Sequence, residues 1–170
     1  AVEIYGEINT WDTSLVTDMS QLFAGNTSFN EDISNWDVGN VTNMYGMFKD
    51  ATAFDQNIGN WNVVEVTDMA YMFNGASVFN QDIGGGDVSK VTTMTYTFKD
   101  AIAFNQNIGD WNVNMVISMN AMFNGASLFN NGEAPGVSSN KLDWDTNNVT
   151  SMIQTFNGAE AFNQDIRKWD

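Results

Sequence analysis

From Trp36 to Asn60 the chain reads WDVGNVTNMYGMFKDATAFDQNIGN, and from Trp61 it reads WNVVEVTDMAYMFNGASVFNQDIGG, so the apolar residues return in the same order 25 positions later. A unit that short cannot enclose a core of its own and must bury its apolar face against its neighbours. This requirement predicts one continuous solenoid domain over residues 1–170, with a partial unit at 1–10, six coils over 11–168 and a seventh opening at 169. The first residue of successive units is Trp11, Trp36, Trp61, Gly86, Trp111, Trp144 and Trp169. Ile4 and Ile8 repeat the spacing of Phe29 and Ile33, and the chain starts without Met. It therefore reads as a piece of a longer array.

Within each unit the first apolar group, Val41, Met44, Met47 and Phe48, is spaced 0, 3, 6 and 7 and fits one face of a short helix. Thr17, Thr42, Thr67, Thr92 and Thr150 stand where an N-cap would sit, and Gly25, Gly75, Gly125 and Gly158 where a left-handed residue would end the helix. The second group, Phe54, Ile58 and Trp61, is bracketed by Asn, Gln and Gly. Residues Gln56 to Gly59 are read as a very short strand, paired with its equivalents about 4.8 Å away in a parallel sheet. The expected fold is thus an α/β solenoid with one short helix and one very short strand per coil. Two phenylalanine series would form its buried columns, Phe23, Phe48, Phe73, Phe98, Phe123, Phe156 and Phe29, Phe54, Phe79, Phe104, Phe129, Phe162. A longer period overlies the short one: Lys49-Asp50-Ala51 returns at Lys99-Asp100-Ala101, and Asn74-Gly75-Ala76 at Asn124-Gly125-Ala126. Duplication of a two-unit block accounts for it.

Two irregularities stand out. Gly84-Gly85-Gly86 replaces Gly-Asn-Trp, and a loop at about 132–142 adds eight residues between Phe129 and Trp144 and carries Pro135.

Composition narrows the function. A net charge of −15 with only six Lys or Arg repels a phosphate backbone, which excludes nucleic acid as a partner. Cysteine and histidine are both absent. That removes disulfides, thiolate nucleophiles, imidazole bases and the usual zinc sites. No nucleophile–base set stands out from the repeat background, so the chain is not expected to be an enzyme. No apolar run approaches the length of a membrane span.

The pattern of Trp61, Val63, Val66, Thr67, Met69, Met72, Phe73, Ala76, Phe79, Asn80, Gln81 and Ile83 resembles the BspA-like repeat of bacterial surface proteins, a divergent relative of leucine-rich repeats. The likeness covers residues 4 to 169, with departures at Gly86, Thr97, Ile117, Thr155 and the inserted loop. It implies a right-handed leucine-rich-repeat-like solenoid, an extracellular address on the bacterial cell surface, and attachment to a surface protein or glycan of a host or neighbouring cell. The family has no catalytic residues to carry over. A passive spacer within a larger surface protein is the alternative.

Four candidate sites follow. Asp32, Gln56, Asp82 and Gln106 would face outward from the strands and form a binding surface. Rows of acids and amides, among them Asp37, Asp87 and Asp145, would be weak calcium ligands that stiffen the stack, although no D-x-D-x-D-G run is present. The missing ring at Gly86 would leave a notch between Trp61 and Trp111. The loop at Pro135 is the fourth candidate, because loops on rigid scaffolds carry specificity. The threonine file also invites an ice-binding reading, although one Thr per unit is explained by capping.

Overall fold

The computed structural model describes residues 6–169. Ile4 and the rest of residues 1–5 of the N-terminal partial unit lie outside the described residues.

The helix and strand expected in every coil do not form. Among the described residues the only regular element is a 3-10 turn at Ile8–Thr10, and there is no sheet. The leucine-rich-repeat-like α/β solenoid is therefore the wrong description of this chain. Each unit is a succession of tight turns, seen in the second as hydrogen bonds from Val41 N to Val38 O, Met47 N to Met44 O, Lys49 N to Gly46 O, Ala51 N to Phe48 O and Phe54 N to Ala51 O.

The reason lies in the destination of alternate N–H groups. Met44, Gly46, Phe48 and Asp50 donate to the carbonyls of Asp68, Ala70, Met72 and Asn74 in the following unit, at 2.7 to 2.9 Å. The same comb joins Met19, Gln21, Phe23 and Gly25 to Asn43, Tyr45, Met47 and Lys49. A helix would turn all of these donors along its own axis. Left-handed φ at Gly46 (58°) and Asp50 (57°), repeated at Tyr71 and Gly75, breaks any helical run and aims the donors sideways.

Parallel pairing exists, though away from the expected strand. Isolated bridges connect Asp18, Asn43, Asp68, Thr93, Ser118 and Ser151 in sequence, inside the stretch assigned to the helix. Around Gln56 to Gly59 side chains make the connection instead. Asn30 Oδ1 accepts from Asp55 N and Gln56 Nε2, and Asn80 Oδ1 accepts from Asn105 N and Gln106 Nε2. The threonines do not cap helices either. Thr42, Thr67 and Thr92 Oγ1 each donate to the Thr carbonyl one unit back, at 3.1 to 3.2 Å.

The expected columns are the core. Phe23, Phe48, Phe73, Phe98, Phe123 and Phe156 stack with successive centroids 5.5 to 5.7 Å apart, and the Phe29 to Phe162 series with 5.7 to 6.1 Å. Inside one unit the two series lie face to face, as Phe48 on Phe54 at 3.9 Å. Near-parallel rings at the longer spacing are offset stacks, a favoured aromatic arrangement. One continuous hydrophobic cluster runs from Met19 to Trp144.

Gly25, Gly75, Gly125 and Gly158 do adopt the left-handed conformation, with φ of 71° to 76°, but at a turn rather than a helix end. Here the two-unit period has a packing counterpart. Added Cβ atoms at Gly75 and Gly125 would come within 2.4 and 2.2 Å of Asp50 and Asp100 Oδ1 in the preceding units. Gly and Asp alternate at this place from Gly25 to Gly125, and the last unit keeps glycine, at Gly158.

Candidate functional site

Of the residues expected to form an outward binding row, Gln56 and Gln106 tie units together as described above. Asp32 and Asp82 stay exposed, and each closes a local turn by accepting from the N–H two residues on, Ser34 at 2.9 Å and Gly84 at 3.0 Å. Asn57 and Asn107 do the same for Gly59 and Gly109. The turn itself uses only the Oδ1 atom, so Asp and Asn exchange along the row, and Asp32 Oδ2 accepts in addition from Asn9 Nδ2 at 2.8 Å.

The residues considered for calcium belong to an equivalent file. Asp37, Asp87 and Asp145 accept from Gly39, Ser89 and Asn147 N. Asp37 and Asp87 are two units apart, roughly 10 Å at ordinary chain spacing. Among the described residues no three acidic side chains converge as a cation site. Hydrogen bonding holds the carboxyls of Asp12, Asp18, Asp32 and Asp87 below the usual range. The Ser14 and Ser89 hydroxyls, then their N–H groups, act on Asp12 and Asp87. At Asp18 and Asp32 the N–H of Ser20 and Ser34 is the larger cause, the hydroxyl the lesser.

The tryptophan file staples one unit to the next. Trp36, Trp61, Trp111, Trp144 and Trp169 donate Nε1–H to the carbonyls of Ile8, Ile33, Ile83, Ile108 and Leu142, at 2.8 to 3.3 Å. Where Gly86 interrupts the file, a cavity of about 40 Å³ opens, lined by Trp61, Trp111, Phe73, Phe98, Ile58 and Thr97 among others. Both departures of this unit, Gly86 for Trp and Thr97 for Met, meet at that cavity. The structure thus brings Trp61, Gly86 and Trp111 together.

The inserted loop is tied down from within. Asn130 and Asn131 are fully buried. Asn130 Nδ2 donates to the carbonyls of Ala134 and Val137, and its Oδ1 accepts from Asn163 N and Gln164 Nε2. Glu133 accepts from the Ser139 hydroxyl and N–H, from Asn140 N and from Gln164 Nε2. Chiefly the Ser139 hydroxyl holds its carboxyl below the usual range. Pro135 is exposed. Beside the loop Ser138, Ser139, Lys141, Asp143, Asp165 and Lys168 line a polar hollow of about 250 Å³. Two of its carboxylates are matched locally, with Lys168 on Asp143 at 2.9 Å and Arg167 holding the Asp165 carboxyl down to about 2 by hydrogen bonding.

A further group was not singled out in the sequence. Tyr45, Tyr71 and Tyr96 form a file on the bridge-bearing face, with centroids 5.3 and 4.7 Å apart and rings tilted by 52° and 33°. All three are half-buried. Lys49 Nζ lies 5.7 Å from the Tyr71 centroid and makes no ion pair among the described residues. Burial, then the neighbouring Tyr96 and Tyr45 hydroxyls, pushes the Tyr71 phenol up, so it stays neutral. The signal was a 25-residue spacing between Tyr71 and Tyr96 at a place filled in other units by Gln21, Gly46, Ala121 and Gln154. Two tyrosines set among Gln, Gly and Ala look like drift in one dimension, and Tyr45 is offset from them by one place.

A family model described as "Mycoplasma protein of unknown function, DUF285" matches residues 1–92, 58–135 and 133–170, and the chain belongs to that family. No curated protein and no solved structure matches it.

Proposed function

We propose that this member of the Mycoplasma DUF285 family is a non-catalytic, partner-binding part of a bacterial cell-surface protein, engaging a surface protein or glycan of a host or neighbouring cell. The observation that carries this reading is the file of Tyr45, Tyr71 and Tyr96 with the unpaired Lys49 beside it. Tyrosine offers a large contact area, a hydroxyl for hydrogen bonding and little rotamer freedom to lose, and it is enriched where proteins bind. Here the rings sit on a backbone held by a continuous comb of inter-unit hydrogen bonds, so the face is organised before any partner arrives. Likeness of the repeat to BspA-like surface repeats supports the surface address. Among the described residues no helix is long and apolar enough to cross a membrane.

One observation favours the spacer reading: the polar rows close on their own backbone, leaving few side chains free for a partner. A glycan and surface-protein array probed with the intact chain, with and without calcium, separates the two. A binder should show hits that fall by about tenfold or more in a Tyr71→Ala/Tyr96→Ala double variant, the scale of an aromatic hot spot. Absence of any hit, or hits indifferent to that double variant and to Lys49→Ala, would overturn the reading and leave the spacer.

A further inference from the structure

We propose that the cavity at Gly86 is a binding site for an indole, the side chain of a tryptophan presented by a basic segment of a partner protein. Six units place an indole at this position, and those of Trp36, Trp61, Trp111, Trp144 and Trp169 drive their N–H into the carbonyl of the Ile or Leu one unit back. Ile33, Ile83 and Ile108 O therefore each accept two hydrogen bonds, one from a main-chain N–H in their own turn and one from an indole. Ile58 O accepts the turn bond from Trp61 N at 3.1 Å, and Gly86 leaves it without the indole. The cavity thus presents an acceptor at the place where its siblings hold an N–H, between walls that are almost wholly apolar.

Backbone conformation does not demand glycine here, since Gly84, Gly85 and Gly86 all lie outside the left-handed region. A Cβ on Gly86 would meet Val63 Cγ2 at 3.2 Å, a contact that a small rotation of valine relieves. Thr97 widens the same space by replacing the methionine of neighbouring units, its hydroxyl turned to Met69 O at 3.0 Å. Two independent shortenings converge on one place. The space of about 40 Å³ takes the leading edge of a ring, and the remainder would lie toward Gly85, where an added Cβ meets nothing within 4 Å. Exposed Asp82 and Asp87 flank Gly86 in sequence on a chain of net charge −15, which selects a tryptophan with basic neighbours. None of the three tyrosines lines this cavity, so the site stands or falls apart from the tyrosine face.

The test is calorimetric titration of the intact protein with the peptide Lys-Lys-Trp-Lys-Lys, the same peptide carrying 1-methyltryptophan, a Leu-for-Trp version, a Glu-flanked version, and free indole. Saturable binding of the first is expected, weakened about tenfold by the methyl group that removes the donor, corresponding to about 1.4 kcal/mol. The Leu and Glu versions should bind more weakly still. Gly86→Trp should abolish binding and raise Tm. Should that variant misfold, Thr97→Met narrows the cavity from the other side and is expected to weaken the peptide. Failure of the Trp peptide to bind, equal binding by the methylated or Leu peptide, or undiminished binding by a folded Gly86→Trp or Thr97→Met variant would overturn the site. Binding of free indole without the basic peptide would overturn the partner.

Discussion

Asp and Asn do the same work in this molecule, and that work is structural. At residues 32, 57, 82 and 107 one oxygen accepts from the N–H two residues on, so the row proposed from sequence as a binding face is also a row of turns. The phenylalanines are the opposite case, where a reading from order alone met its geometry. Phe79 is fully buried, offset-stacked on Phe54 and Phe104 and face to face with Phe73 at 4.1 Å. Phe79→Ala removes a ring from both directions of contact at once and is expected to cost about 3–5 kcal/mol in urea unfolding. A loss below about 1 kcal/mol would show that the stack closes over the gap, against the behaviour of close-packed interiors.

At the scale of the single unit, the element is a comb of turns with donors alternating between its own carbonyls and those of its neighbour. Its two left-handed positions tolerate side chains at Gln21, Tyr71, Tyr96 and Ala121, and take Gly or Asp in turn at the other. Gly75→Ala should be destabilising through both left-handed φ, roughly 1–2 kcal/mol, and contact with the Asp50 carboxylate. In an Asp50→Gly background the second part disappears, so the double variant should lose less than the sum of the singles. Additivity within about 0.5 kcal/mol would show that the two-unit alternation carries no packing and reflects duplication alone.

For the whole molecule, stability resides in register. Bridges fall 25 residues apart through Ser118 and then 33 apart at Ser118 to Ser151, so the inserted loop adds length without shifting the ladder. Deleting residues 44–68, which joins Asn43 to Met69, should leave a cooperatively unfolding protein whose urea m-value falls by about one sixth. Deleting one residue fewer, and so keeping Asp68, slips the comb and should lower Tm by about 10 °C or more. Equal stability of the two would mean that units stack without register. By itself the sequence determined the period, the buried aromatic columns, the tryptophan file and the place where that file breaks. All of these follow from which side chains recur, because a short unit can bury an apolar residue only against its own copies. It did not determine the backbone. Spacing of Val41, Met44, Met47 and Phe48 records which residues face inward and is silent on where their N–H groups go, so a helix and this comb share one pattern. Only the neighbouring unit, by offering carbonyls at 2.7 to 2.9 Å, decided between them, and the same proximity assembled Tyr45, Tyr71 and Tyr96 into one face.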